Sequence, residues 1–194
     1  MDLKQYIIPA IDDLKKLQPA CQTPAPVVFL MKANICNLKA LVQLLHKHHK
    51  QVYVHIEFMD GFKPDKEGLK LLKNEYQVDG IVSANAKALV MAQSCNLQVV
   101  YRLFLVDSIS LKRSQQILLN NDFSTIEVLP AINALKEVKL LQKIFVHSHL
   151  IAGGFVRDQA LIKQIFDCGF QAVDSSDVRV WPTLKPHPAP QHGK

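Results

Sequence analysis

Hydrophobic positions along the chain follow two alternating spacings. Short runs of consecutive apolar residues are typical of strands buried on both faces, and they predict strands at residues 27–31, 52–56, 80–83, 99–106, 125–129, 150–152 and 172–174. Between these runs, apolar residues recur every third or fourth position, which is typical of helices with one buried face. This second spacing predicts an opening helix at residues 7–17, a helix after Asn37, and helices at residues 65–76, 86–94, 109–120, 133–141 and 159–167.

Strands that each lead into a helix predict a parallel sheet covered by helices. Polar residues follow nearly every predicted strand, whereas in an open doubly wound sheet they would gather at one switch point. We therefore predict an α/β fold, a TIM-like parallel β/α barrel of seven or eight strands. One unit of the barrel is expected to be reduced or missing, with the opening helix or the chain near Trp181 filling the gap.

Composition favours a single folded domain. The chain has 194 residues, of which 48% are hydrophobic and 21% charged, so one sizeable core is expected over residues 1–181. Residues 182–194 are rich in proline and poor in apolar residues, which predicts a disordered tail. The first residues lack the features of a secretory signal, and no apolar run is long enough to span a membrane, so we expect a cytoplasmic protein with no membrane partner.

Other sequence features narrow the chemistry that the chain is expected to perform. The four cysteines lie far apart and form no Cys-x-x-Cys pair, which argues against a zinc site or a disulfide scaffold. No Gly-x-Ser-x-Gly elbow is present, and the histidines at 46, 48 and 49 do not share one helix face, so neither nucleophilic hydrolysis nor a metal site is expected. The net charge of +6 permits a polyanionic partner without requiring one.

Polar side chains and glycines that follow the predicted strands are candidates for a ligand site. Gly153-Gly154 and Ser175-Ser176 follow consecutive strands, and in β/α barrels the loops after the last two strands commonly hold a phosphate group. Carboxylates can accept hydrogen bonds from ligand hydroxyls, and an arginine can pair with a ligand or with a carboxylate. The predicted ligand-binding residues are His55, Glu57, Ser83, Arg102, Glu127, Gly153, Gly154, Ser175 and Ser176.

Several of these residues also have a purely structural interpretation. Glu127 and Arg102 lie on neighbouring predicted strands and can form a buried ion pair without any ligand. His55 can be a core histidine bonded to a backbone carbonyl. Asp107 precedes a predicted helix, so we expect it to cap that helix rather than to contact a ligand.

Six segments, taken in order and with their spacing, carry a resemblance to a known family. They are residues 55–62 (His-Ile-Glu-Phe-Met-Asp-Gly-Phe), 79–83, 101–108, 126–130, 151–154, and the final Ser175-Ser176 with Trp181. Together they resemble the glycerol uptake operon antiterminator family over nearly the whole chain up to Trp181. The resemblance implies a TIM barrel that responds to glycerol 3-phosphate and acts on the leader of glycerol-utilisation messenger RNA to prevent premature termination.

The function that this resemblance implies is a glycerol-3-phosphate-responsive, RNA-binding transcription antiterminator that regulates a glycerol uptake or utilisation operon. It implies no catalytic residue and no cofactor, with glycerol 3-phosphate as effector and a leader mRNA as partner; homo-oligomerisation is left open. Together with the net positive charge, it makes a lysine stripe on a predicted helix a candidate RNA contact, although such stripes are usually solvated faces. The candidate stripe is Lys66, Lys70 and Lys73, and a second stripe is Lys136, Lys139 and Lys143.

The chain departs from the family pattern near the predicted ligand site. The family usually has an aspartate where Glu57 stands, a threonine and a basic residue where Ala84 and Asn85 stand, and a glycine where Ala131 stands. These departures leave the identity and affinity of the effector open. Two other interpretations remain: a small TIM-barrel enzyme acting on a phosphorylated polyol or sugar, with Glu57 or Glu127 as acid or base, and a metabolite sensor whose output partner is another protein.

Overall fold

Eight parallel strands close into a barrel in the computed structural model, which describes residues 5–183. The barrel strands are β1 (Tyr6–Ile11), β2 (Val27–Leu30), β4 (Gln51–His55), β6 (Gly80–Ser83), β7 (Gln98–Phe104), β8 (Thr125–Leu129), β9 (His149–Ala152) and β10 (Ala172–Ser175). Two short strands, β3 (Ala33–Asn34) and β5 (Met59–Asp60), pair with each other after β2 and β4. The predicted TIM-like α/β barrel is confirmed, with eight strands.

Helices connect the barrel strands and bury apolar residues against them. They are α1 (Leu17–Cys21), α2 (Leu38–Lys47), α3 (Lys66–Asn74), α4 (Ala86–Ser94), α5 (Ser108–Leu119), α6 (Ala131–Lys136), α7 (Val138–Ile144) and α8 (Gln159–Asp167), with 3-10 turns at Leu14–Lys16, Ile56–Phe58 and Val178–Val180. Aspartates begin three of these helices by accepting first-turn amide hydrogens: Asp65 for α3, Asp107 for α5 and Asp158 for α8. The expected capping role of Asp107 is therefore confirmed.

Strand β1 supplies the unit that the sequence pattern did not assign. The helix predicted at residues 7–17 is wrong, because Tyr6–Ile11 forms β1, which lies between β10 and β2 and closes the barrel. Five of its six residues are buried, as expected for a strand enclosed on both faces. A helical turn begins only at Leu14, where the Asp13 side chain accepts a hydrogen bond from the Lys15 amide at 2.9 Å. The unit expected to be reduced or missing is therefore a full strand, and neither an opening helix nor the chain near Trp181 fills its place.

Side chains inside the barrel form an apolar layer with polar residues at its C-terminal side. Val100 and Ala172 belong to the apolar cluster inside the barrel. Because strand side chains alternate between faces, Arg102 and Asp174, two residues further along, also face the interior. His55 occupies the equivalent position at the end of β4. The interior therefore becomes polar at the C-terminal ends of the strands, which is the end where β/α barrels carry their functional sites.

Two other predictions concern the limits of one helix and the C-terminal end of the chain. The helix predicted at residues 133–141 is in fact two helices, α6 and α7, which meet at Glu137. The predicted disordered tail, residues 182–194, lies outside the described residues except for Pro182 and Thr183. Within residues 5–183, no helix combines the length and the apolar character that a membrane crossing requires.

Candidate functional site

Four buried polar side chains meet inside the C-terminal end of the barrel. They are His55, Arg102, Glu127 and Asp174, none of them more than 7% exposed. We call these four residues the polar layer. The strand register places Arg102 of β7 beside Glu127 of β8, as the sequence pattern predicted. Asp174 of β10 was not among the predicted ligand-binding residues.

Arg102 and Glu127 form a buried ion pair. The Arg102 Nε lies 2.9 Å from Glu127 Oε2, and a terminal guanidinium nitrogen donates to Oε1 at 3.4 Å. The shorter contact lacks hydrogen-bond geometry, so charge rather than hydrogen bonding dominates the pair. The rings of Phe58 and Phe104 have their centres 5.8 and 5.4 Å from the guanidinium carbon, within cation–π range. The ligand-free ion pair considered from the sequence is therefore present.

Glu127 and Asp174 place two carboxyl groups next to one arginine. Burial raises the pKa of Glu127 well above its usual value, and the neighbouring Asp174 carboxylate raises it further. Burial also raises the pKa of Asp174 to about 6, although the Arg102 charge acts in the opposite direction. Near neutral pH the two carboxyl groups therefore share one proton, and together with Arg102 they carry no net charge.

His55 contributes a neutral imidazole to the polar layer. The ring is 1% exposed, and neither ring nitrogen has a hydrogen-bond partner among residues 5–183, so it is not the carbonyl-bonded core histidine considered from the sequence. Its ring lies against Phe58 and Phe29, with ring centres 6.0 and 5.6 Å apart. Burial lowers the pKa of His55 well below its usual value, and the Arg102 charge lowers it further.

Two of the predicted ligand-binding residues, Glu57 and Ser83, lie close together, but they form a hydrogen bond with each other. Glu57 is exposed on the 3-10 turn after β4, where its Oε1 accepts hydrogen bonds from the Ser83 hydroxyl and, at 3.0 Å, from the Ala84 amide. Ser83 accepts a hydrogen bond from the Asn85 amide at 3.0 Å, and the Asn85 side chain caps α4. Ala84 and Asn85, which depart from the pattern of the resembled family, therefore hold this junction together. Glu57 also lines a cavity of about 440 Å³ beside Lys32.

A second cavity, of about 220 Å³, lies between the polar layer and the loops that follow β9 and β10. We call it the mouth cavity. Arg102 and Asp174 line it from the polar layer, and residues 154–157 and 175–177 line it from the two loops. Its volume corresponds to about seven water molecules, so it suits a ligand smaller than a drug-sized molecule.

The two loops beside the mouth cavity are joined by hydrogen bonds. The Ser175 hydroxyl donates to the Val156 carbonyl at 2.7 Å and accepts from the Asp177 amide at 3.1 Å. The indole N–H of Trp181 donates to the Ser175 carbonyl at 2.8 Å. Ser175 therefore has a structural role in this arrangement, whereas its neighbour Ser176 lines the cavity without sharing these bonds.

The two glycines after β9 have different roles. A Cβ atom on Gly153 would lie 1.8 Å from Asp174 Oδ1, so the missing side chain leaves room for that carboxyl group rather than for open ligand space. Gly154 has a φ of +77°, which favours glycine, and Phe155 follows with a φ of +59°. Gly154 and Phe155 both line the mouth cavity. Positive φ at a bulky residue such as Phe155 is uncommon and often marks a functional constraint.

Arg157 is a cationic lining residue that the sequence analysis missed. It is exposed, lines the mouth cavity and lies 5.9 Å from the centre of the Phe155 ring. Hydrogen bonds from Arg179 lower the pKa of Asp177 to about 2, and the Arg157 charge also contributes. The sequence feature that could have identified Arg157 as a lining residue is its position, three residues after the glycine pair in a loop that follows a strand.

The three predicted RNA-contacting lysines lie on α3, which contributes no residue to the polar layer or to the lining of the mouth cavity. Lys66 and Lys70 are exposed, whereas Lys73 is partly buried. The Lys70 Nζ lies 2.9 Å from Glu67 Oε1, so one of the three charges is already paired. In the second stripe, Lys136 lines a further cavity of about 290 Å³ between α5 and α6–α7.

Known proteins provide the remaining evidence on identity. The glycerol uptake operon antiterminator regulatory protein of Listeria monocytogenes is 27% identical to this chain, with a TM-score of 0.82 over 91% of this chain and 95% of that one. A glycerol uptake operon antiterminator-related protein of Thermotoga maritima is 26% identical, with a TM-score of 0.81 over 92% and 99% of the two chains. YgcP of Escherichia coli K12, an uncharacterized protein, is 27% identical over 92% of this chain and 93% of its own. Residues 7–181 match the model of the glycerol-3-phosphate responsive antiterminators, and the chain belongs to that family.

Proposed function

We propose that this protein is a glycerol-3-phosphate-responsive, RNA-binding transcription antiterminator that regulates a glycerol uptake or utilisation operon. Family membership over residues 7–181 carries the proposal, because the family is described by its response to glycerol 3-phosphate. The relative from Listeria monocytogenes is likewise described as a regulator of a glycerol uptake operon. The mouth cavity supports an effector of this kind, since it is small and lined by charged and polar groups.

Within this proposal, the phosphate group lies beside the two loops and the polyol lies against the polar layer. Arg157 offers a full positive charge to a phosphate. Gly154 offers a stretch of backbone that no side chain covers, and Ser176 offers a hydroxyl group. Arg102 and Asp174 line the same cavity, where they can donate to and accept from ligand hydroxyls. The cavity therefore contains complementary groups for both parts of glycerol 3-phosphate.

Calorimetric titration with glycerol 3-phosphate tests this placement. Because hydrogen bonds to charged groups typically contribute about 1.5–3 kcal/mol, Arg157→Ala should weaken binding about tenfold or more. The matched control is Arg113→Ala, which removes an exposed arginine from α5 and should leave affinity unchanged within about twofold. Equal affinity of wild type and Arg157→Ala would remove Arg157 from the site, and no binding by the wild type would contradict the proposed effector.

A small barrel enzyme is a second candidate function, and the polar layer is the observation that favours it. Glu127 and Asp174 share a proton beside the neutral His55, and such groups can transfer protons to and from a substrate. We nevertheless propose binding without turnover, because family membership points to regulation. Phosphorus and carbon NMR during prolonged incubation should recover glycerol 3-phosphate intact. A new species that forms with the wild type but not with Asp174→Asn would favour the enzyme.

The proposed RNA contact is the exposed face of α3. Because each phosphate contact adds about 0.7–0.9 to the log-log slope of affinity against salt, reversing three lysine charges should weaken binding to a leader transcript and flatten that slope by about 2–3 units. Glycerol 3-phosphate affinity should not change. A control variant reverses an equal number of charges on α6 and α7. RNA binding that falls only in the control would assign the contact to the α6–α7 face. The test variant changes Lys66, Lys70 and Lys73 to glutamate, and the control changes Lys136, Lys139 and Lys143.

A further inference from the structure

Asp174 differs from the other carboxylates at the barrel mouth. It is 5% exposed and lines the mouth cavity, and within the part of the chain that the structure describes its Oδ1 accepts no hydrogen bond from an N–H or hydroxyl group. By contrast, Glu57 accepts from Ser83 and from a backbone amide, and Asp177 accepts three side-chain hydrogen bonds from Arg179. Buried polar atoms nearly always have a partner, and where the protein supplies none, a ligand or an ordered water does.

Other charged groups around Asp174 decide which ligand group can approach it. Across the barrel interior, Arg102 of β7 and Glu127 of β8 act on Asp174, and His55 of β4 adds a neutral ring to the same polar layer. From the loops, Arg157 and Asp177 line the same cavity. Glu127 and Asp174 share one proton and carry one negative charge between them, which balances the charge of Arg102, 2.9 Å from Glu127.

A ligand carboxylate next to Asp174 would therefore meet the negative charge that Asp174 and Glu127 share, and no positive charge of Arg102 is left over to bind it. A ligand hydroxyl can instead donate to the Asp174 carboxylate and accept from the Arg102 guanidinium. The wall formed by Arg102 and Asp174 thus fits an uncharged hydroxyl-bearing group better than an anion.

We infer that Asp174 determines the specificity of the mouth cavity, by selecting phosphorylated polyols over three-carbon phosphates that end in a carboxylate. This inference rests on the proposed function, because it concerns the ligand of the same cavity. Asp174 acts on the free end of the ligand, and the phosphate group binds at the loops through Arg157. Specificity and phosphate binding can therefore be separated by substitution.

Calorimetry with two ligands tests the inference. Glycerol 3-phosphate and 3-phosphoglycerate have the same phosphate group and carbon number, but the second has a carboxylate in place of the terminal hydroxymethyl group. Wild-type protein should bind glycerol 3-phosphate at least about tenfold more tightly. Asp174→Asn removes the negative charge and adds an N–H donor. It should weaken glycerol 3-phosphate binding and strengthen 3-phosphoglycerate binding, which lowers the affinity ratio about tenfold.

Two control variants separate specificity from phosphate binding and from general damage. Arg157→Ala should weaken both ligands alike and leave their ratio unchanged. Asp177→Asn alters the ionised carboxylate bound to Arg179 on the same cavity, and it should also leave the ratio unchanged. If Asp174→Asn does not fold, the wild type provides the test, because protonation of Asp174 between about pH 8 and about pH 5 should lower the ratio.

The outcomes distinguish this inference from the proposed function. An affinity ratio that Asp174→Asn leaves unchanged, or a wild type that prefers 3-phosphoglycerate, would overturn the specificity role of Asp174 while the phosphate site stands. A wild type that binds neither phosphate would overturn both. A ratio that falls in Asp174→Asn and stays constant in Arg157→Ala supports the inference.

Discussion

Replacing Asp174 with asparagine should change how the stability of the barrel depends on pH. The pKa of Asp174 is raised from 3.8 to about 6 in the folded protein, mainly by burial. A carboxyl group with a raised pKa contributes stability that is fully present below its unfolded pKa and is lost as pH rises through its folded pKa. Because a pKa difference of one between the folded and unfolded states corresponds to about 1.4 kcal/mol, the wild type should lose about 3 kcal/mol of unfolding free energy between about pH 3 and about pH 8 through this group.

Urea unfolding of both proteins across this pH range measures the effect. The asparagine side chain cannot ionise, so the stability of Asp174→Asn relative to wild type should increase by about 3 kcal/mol as pH rises. The control is Asp177→Asn: Asp177 has a pKa lowered to about 2, so the difference between this variant and the wild type should not vary above about pH 5. A constant difference between Asp174→Asn and wild type would refute the reasoning, because it would mean that Asp174 ionises normally beside Glu127 and Arg102.

Two further substitutions test the packing around the site by thermal and urea unfolding. Gly153→Ala should destabilise the protein by about 1–3 kcal/mol, because the new Cβ would overlap the Asp174 carboxyl group, and the cost should shrink when Asp174→Ala is present as well. Trp181→Phe should lower the free energy of unfolding by about 1–3 kcal/mol, because it leaves the Ser175 carbonyl without its 2.8 Å donor. An unchanged unfolding midpoint in Gly153→Ala or in Trp181→Phe would contradict the contact that the substitution was designed to disturb.

The strands that alternate with regular helices could be predicted from sequence, but β1 could not. Apolar residues at Ile7, Ile11, Leu14 and Leu17 recur every three or four positions, which is the spacing of a helix. In the structure, the first two lie on β1, Leu14 begins a 3-10 turn and Leu17 begins α1, so the helical spacing runs across three short elements. Pro9 within this stretch was a signal against a continuous helix. Only barrel closure, a long-range requirement, explains why this segment is extended.

The site was predictable as far as strand register determined it. Arg102 and Glu127 stand at equivalent positions of adjacent strands, so their pairing follows from the order of the strands. The importance of Asp174 depends instead on the missing side chain of Gly153 on the neighbouring chain segment, a contact that no local pattern encodes. For the same reason the sequence could not show that the Ser175 hydroxyl donates to the Val156 carbonyl.

If glycerol 3-phosphate raises RNA affinity, the change must begin at groups that the ligand can touch, and RNA must then raise ligand affinity by the same factor. The loops after β9 and β10 are joined through Ser175 and should respond as one unit. That unit extends to the loop after β1, because the Lys16 Nζ donates to the Ser176 carbonyl at 2.7 Å and to Asp12 at 2.5 Å. Met31 lines both the mouth cavity and the cavity beside Glu57. It is therefore the shared contact through which a bound ligand can influence the loops nearest to α3.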